Sequence, residues 1–253
     1  MIDAHTHFSI FSDRLTGVVL NTTDPTQWPA LLAAASENQR IFPQFGVHPW
    51  FVQDVSEDWP ATLEKTLREA RRRNLPGVGV GEIGLDSLRA KTEAEWRRQI
   101  FCFREQLTLA ERENMPVSIH CVRCWDVLMK ELKSWRDGTP RESGIVLHAF
   151  RAPAETIPKF AEMGCYFSIS PDVLRDSENR LRETVRKIPL NRLLVETDFT
   201  PEKAEKSLAA KVSGGEIETL LAVLAKIAEI RGMSAETLEA MTEENTKRAF
   251  RNF

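Results

Sequence analysis

Short apolar runs rich in Val and Ile alternate along the chain with longer stretches of helical period, the pattern of β/α units around a parallel sheet. Eight such runs stand out: Met1 to His5, Gly17 to Leu20, Phe42 to Val47, Gly77 to Glu82, Val117 to His120, Ile145 to His148, Tyr166 to Ile169 and Leu193 to Glu196. Between them, Glu93 to Glu111 carries Trp96, Ile100, Phe103, Leu107 and Ala110 at spacings of four and three, which predicts a helix with one face against the sheet. A second helix is expected over Ile217 to Ile230, ended by Gly232, and a last one capped by Ser234 and running to Phe250. Eight strands each followed by a helical stretch predict an α/β fold, the (β/α)8 or TIM barrel. The length of 253 residues suits one such barrel, so a single domain over 1–253 is expected, with no interdomain linker. The least periodic stretch, Thr200 to Gly215, follows the last strand and is the candidate for a mobile loop over the site.

Polar residues interrupt this pattern where the strands end. His5 and His7 close the first strand, Glu82 the fourth, His120 the fifth and His148 the sixth, while Asp198 follows the eighth. Burying an unpaired charge there would cost several kcal/mol, about the worth of the whole fold's margin, so these positions need a reason. All lie on the C-terminal face of the barrel, where active sites of this fold are built. Imidazoles and carboxylates converging there are standard ligands for divalent cations. In His5-Thr6-His7 the strand period of two puts both imidazoles on one side. The fifth histidine, His48 in Gly46-Val47-His48-Pro49, lies on the same face and reads as substrate-facing or supporting, or as purely structural.

Composition narrows the partners. The chain is 42% hydrophobic and 28% charged with a net charge of −3, a globular profile without the basic field that grips polynucleotides nonspecifically. The apolar run at Met1 meets His5 too soon for a secretory leader or a spanning helix, so a cytoplasmic location is expected, with no membrane and no obligate protein partner. Four cysteines are too few for a disulfide framework; Cys102 and Cys165 read as core fillers, and Cys121-x-x-Cys124 lacks the second pair of a structural zinc site.

The blocks His5-Thr6-His7, Gly46-Val47-His48-Pro49, Gly81-Glu82-Ile83-Gly84-Leu85-Asp86, Pro116-Val117-Ser118-Ile119-His120, Leu147-His148-Ala149-Phe150 and Glu196-Thr197-Asp198 resemble, in order, those of the TatD family. The resemblance implies a β/α barrel of the amidohydrolase superfamily and a divalent-metal-dependent deoxyribonuclease. It implies two divalent cations, Mg²⁺, Mn²⁺ or Zn²⁺, with His5, His7 and Asp198 on one, His120 and His148 on the other and Glu82 bridging. Asp198 and Glu82 would be catalytic. The chain departs from the family pattern with Ser87 after Asp86, Val122 two places after His120, and Phe199-Thr200-Pro201-Glu202 after the last block. The segment from His120 to Asp126 looks closer to a less studied bacterial branch of the family. These departures concern substrate rather than metal. Candidate substrate contacts are His48, Arg123, Arg151 and Lys203; Trp50, Phe51 and Trp125 could stack on a base, although residues of this kind are more often core. The expected substrate is DNA or another phosphoester, and the alternative is a small-molecule amide, lactone or phosphoester hydrolysed on the same metal site.

Overall fold

The computed structural model describes residues 1–7, 9, 12–136, 144–200 and 215–251. Eight parallel strands follow one another in sheet order: β1 (Ile2–Thr6), β2 (Gly17–Asn21), β3 (Ile41–Phe45), β4 (Gly79–Asp86), β5 (Val117–Val122), β6 (Ile145–Leu147), β7 (Cys165–Ile169) and β8 (Leu193–Val195). The chain leaving β8 returns to β1, with the Asp198 amide on the His5 carbonyl at 2.9 Å and the His7 amide on the Phe199 carbonyl at 3.2 Å. The result is the eight-stranded β/α barrel that the apolar runs predict.

Eight helices are described: α1 (Trp28–Glu37), α2 (Trp59–Arg72), α3 (Glu93–Arg112), α4 (Trp125–Arg136), α5 (Ile157–Glu162), α6 (Asn179–Lys187), α7 (Glu216–Arg231) and α8 (Ala235–Ala249). The outer core lies between them and the strands, and the anticipated stripe of α3 delivers Phe103, Leu107 and Ala110 to it. Thr92 starts α3 with a capping box, its hydroxyl accepting from the Glu95 amide at 3.2 Å. Inside the barrel, Ile2, Ala4, Val19, Val146, Tyr166 and Leu194 form a separate cluster with Phe250, which follows α8. Gly144 lets the end of α8 come close, since a Cβ there would stand 2.3 Å from the Ala249 carbonyl oxygen. One end of the barrel is thus filled by apolar side chains, and the polar residues gather at the other.

The structure moves two of the expected ligands inward from their strand ends. β4 and β5 run on to Asp86 and Val122, so Glu82 and His120 stand within strands rather than closing them. Glu82 nevertheless faces the mouth because β3 pairs with β4 only at Gly79 and Val80, whereas β5 follows β4 as far as Asp86. The longer pair rises beyond its neighbour. Of the loop expected over Thr200 to Gly215, residues 201–214 lie outside the described residues. Among the described residues no helix is long and apolar enough to cross a membrane.

Candidate metal centre

Glu82, only 2% exposed, is the point on which the imidazoles converge. Its Oε1 stands 2.8 Å from His120 Nδ1, 3.2 Å from His148 Nε2 and 3.4 Å from His48 Nε2. Its Oε2 stands 3.1 Å from His7 Nε2 and 3.4 Å from His5 Nε2. Asp198 completes the group, Oδ1 lying 3.6 Å from His7 Nε2 and 4.0 Å from His5 Nε2. The His5 and His148 rings stack with centroids 3.8 Å apart. All six expected ligands are therefore brought together, and the fifth histidine joins them.

A web of neighbours sets the direction of each ring. His5 Nδ1 meets Ser118 Oγ at 3.1 Å, and His7 Nδ1 meets the Asn21 carbonyl at 3.1 Å. His148 Nδ1 meets Glu196 Oε1 at 3.0 Å, an oxygen that also accepts from the Ala149 amide at 2.8 Å. Asp86 lies 3.6 Å from His120 Nε2 and accepts from the Trp50 indole at 2.7 Å. Such contacts fix which ring nitrogen faces a metal.

Two glutamines of α3 brace the strand ends behind this web. Gln106 bonds both the amide (2.7 Å) and the carbonyl (3.1 Å) of Val47, and Gln99 does the same for Asp86 at 2.8 and 3.1 Å. Each side-chain amide imitates a neighbouring strand where the sheet has stopped pairing.

The electrostatics follow from crowding. Burial opposes the Glu82 charge, but His48, His148 and His5 outweigh it and hold the carboxyl well below the usual carboxylate range. Burial also opposes protonation of His148, yet Glu196 and Glu82 raise its pKa well above the ordinary value. His7 and His120 are likewise raised against burial, His7 by Glu82 and then Asp198, His120 by Asp86 and Glu82. Burial lowers His5, and it lowers His48 to about 4, with Glu82 opposing only in part.

This donor set fits divalent cations. Donor atoms of His5, His148 and Asp198, of His5, His7 and Glu82, and of His48, Glu82 and His120 each lie within 4.8 Å of one another. His5 Nε2 and His120 Nε2 are buried and make no hydrogen bond, which is costly unless something else completes them. Nitrogen and carboxylate oxygen in this proportion suit Zn²⁺ and Mn²⁺ more naturally than a purely oxygen-seeking ion.

A cavity of about 880 Å³ opens over the cluster, lined by His7, His48, Glu82, His120, His148 and Asp198 and also by the apolar Leu20, Ala30, Leu31 and Ala34. Trp50 and Phe51 form part of its wall, Trp50 being 46% exposed with the Arg89 guanidinium 4.0 Å from its ring centroid. Trp125 packs on Phe150 and Phe160 and so belongs to the core, the commoner place for such a residue. Arg123 is exposed and outside the described lining. Arg151 is also outside it and is held by Asp172 and by Glu178 at 2.7 Å. Lys203 lies outside the described residues. Cys121 and Cys124 place their sulfurs 3.7 Å apart in the core beside His120, while Cys102 and Cys165 are buried as expected.

Of the supports of the site, Ser118, Asn21 and the α3 glutamines leave no signal in the sequence. The signal for Glu196 was present, since the period of two in Glu196-Thr197-Asp198 turns both carboxylates the same way. The others act through barrel neighbours far away in sequence.

A family model for TatD related DNase matches residues 2–251. The chain is 30% identical to the 3'-5' ssDNA/RNA exonuclease TatD of Enterobacter lignolyticus over 95% of this chain and 89% of that protein. It is also 30% identical to the metal-dependent hydrolase YjjV of Escherichia coli K12, over 72% of this chain and 66% of that one. The crystal structure of YjjV superposes with a TM-score of 0.82 at 25% identity, covering 98% of this chain and 96% of the other. A TatD-family hydrolase from Entamoeba histolytica, at 17% identity, shares the fold with a TM-score of 0.77 over 93% and 84% of the two chains. With the histidines and carboxylates of all six blocks gathered around Glu82, and the match running from one end of the barrel to the other, the chain belongs to the TatD-related DNase family of metal-dependent hydrolases.

Proposed function

We propose that the protein is a divalent-metal-dependent phosphodiesterase acting on DNA, with two cations at the barrel mouth. His5, His7 and Asp198 would hold one, His120 and His148 the other, and Glu82 would reach both. The observation that carries this reading is the convergence of five imidazoles on the two oxygens of one buried carboxylate. The relatives named as TatD exonucleases support phosphodiester chemistry. Mg²⁺, Mn²⁺ or Zn²⁺ would supply Lewis acidity, lowering the pKa of a water and drawing charge from the phosphoryl group.

The chain's own groups do the rest. Asp198, partly exposed at the mouth, takes the proton of the attacking water as its oxygen bonds to phosphorus and the bond to the leaving nucleoside oxygen breaks. Glu82 keeps its charge because the surrounding imidazoles stabilise it, and so remains a ligand rather than an acid. His48 faces the substrate from the cavity wall, and Arg123 and Lys203 would meet phosphates farther out, whereas Arg151 is already taken up by Asp172 and Glu178. The barrel forms one domain over 1–253 and works in the cytoplasm without an obligate protein partner.

One observation favours a second reading, hydrolysis of a small phosphoester, lactone or amide. No Lys or Arg occurs among the described residues lining the cavity, and Leu20, Ala30, Leu31 and Ala34 give it an apolar share of wall. The test is metal-stripped protein given Mn²⁺ and offered single-stranded DNA or bis(p-nitrophenyl) phosphate, with Glu82→Ala as control. DNA cutting lost in the control supports the nuclease reading; turnover of the small ester alone moves the substrate to the second.

A further inference from the structure

Five imidazoles crowd around Glu82, but their hydrogen bonds sort them into two kinds. A backbone carbonyl can only accept, so the contact of His7 Nδ1 with the Asn21 carbonyl at 3.1 Å puts a proton on Nδ1 and leaves Nε2 as the atom turned to the site. Glu196 Oε1 already accepts from the Ala149 amide, and it receives the His148 Nδ1 proton in the same way. Both rings therefore keep their Nδ1 proton and turn Nε2 towards Glu82, the atom that gives up any proton it carries when it ligates a metal.

His48 is wired in the opposite sense. Its Nδ1 lies 3.2 Å from the Trp50 backbone nitrogen, which carries a proton and can only donate. The Nδ1 lone pair is thus occupied, and the neutral ring carries its proton on Nε2, the atom 3.4 Å from Glu82 Oε1. The arrangement is held in place. The His48 amide donates to the Thr23 carbonyl at 2.8 Å, its carbonyl accepts from the Phe51 amide at 2.9 Å, and Pro49 restricts the turn between. Gln106 fixes Val47 just before it. The ring cannot present a lone pair to a cation without giving up the Trp50 contact.

We propose that His48 is not a metal ligand but a catalytic hydrogen-bond donor, whose neutral imidazole offers Nε2–H to a phosphoryl oxygen of the bound substrate. The placement suits this, because His48 lies in the cavity wall between the metal cluster and Trp50, with the His120 ring 4.4 Å away. A preorganised neutral donor stabilises the charge that gathers on that oxygen in the transition state without competing for cations. The target group is a phosphoester oxygen, whether in a polynucleotide or in a small ester. The inference rests on the metallohydrolase reading of the cluster, but it assigns His48 a role which the composition of that cluster alone would not predict.

Three measurements test it. In metal-free protein, nitrogen-15 NMR of the histidine rings should find His48 as the neutral Nε2–H form, and His7 and His148 with a proton on Nδ1. In Mn²⁺ titrations His48→Ala and His48→Gln should keep the stoichiometry of the parent and its affinity within about threefold, whereas second-site ligand loss in His148→Ala should remove binding capacity. On bis(p-nitrophenyl) phosphate at saturating Mn²⁺, His48→Ala should lower kcat about 100-fold with little change in KM, and His48→Gln, whose amide keeps a donor, should recover about tenfold. An Nδ1–H tautomer at His48, or a lost equivalent of Mn²⁺ in His48→Ala, overturns the proposal. If the parent binds no Mn²⁺ and turns over no ester, the metallohydrolase reading fails, while the tautomer in the metal-free protein still decides the wiring of His48.

Discussion

Gly84 has φ near 147°, and a Cβ there would stand 2.0 Å from the His120 carbonyl oxygen. Backbone cannot yield as a flexible side chain can, so this residue decides how closely β4 and β5 approach beside a proposed ligand. Gly84→Ala should destabilise the fold by about 1–3 kcal/mol in urea unfolding and also weaken Mn²⁺ binding, because the strain falls on His120. A variant that loses stability but binds Mn²⁺ as before would mean that His120 is positioned independently of the strand contact. Glu82 is sensitive in a different way. Glu82→Gln preserves volume but removes the only charge shared by all five imidazoles. It should reduce Mn²⁺ affinity by at least about tenfold in calorimetry while folding normally.

The elements hold these residues through helix-to-strand contacts as well as sheet pairing. Gln106 of α3 satisfies both backbone groups of Val47, and Gln106→Leu would bury them without partners at about 1–3 kcal/mol each. Since Val47 precedes His48, the same substitution should lower kcat in steady-state assays, and full activity in a destabilised variant would count against that coupling. Thr92→Ala, at the far end of the same helix, removes a cap worth about 1 kcal/mol and should leave hydrolysis unchanged. Replacing Cys121 and Cys124 together by serine should likewise keep metal-dependent hydrolysis, since their sulfurs meet each other and the Leu85 carbonyl, 3.4 Å from Cys124, rather than Glu82.

For the whole molecule, cations that bind only the folded barrel must stabilise it. At Mn²⁺ a hundredfold above its dissociation constant the gain is about 2.7 kcal/mol, or roughly 5–10 °C in Tm for a chain of this size. Differential scanning fluorimetry with and without chelator reads this directly, and an unchanged Tm would count against a tight site. Salt separates the two substrate readings. With a net charge of −3 and no described cation lining the cavity, a small ester should be hydrolysed with little dependence on salt. A polynucleotide held through phosphates should instead lose affinity steeply as salt rises.

Much of this architecture was legible in the residues themselves. Apolar runs of strand length between helical periods are a local property, and so are the two-residue spacing of His5 and His7, the Ser234 cap and the Gly232 stop; all of them determined the barrel and its polar rim before any contact was known. Only the tertiary structure decided how high each strand rises past its neighbour, which carries Glu82 to the mouth from inside β4. It also decided which carboxylate stands behind which histidine and which nitrogen of His48 carries the proton. Those outcomes depend on atoms from strands and helices remote in sequence meeting within hydrogen-bond distance, and a linear pattern of polar and apolar positions contains no record of that distance.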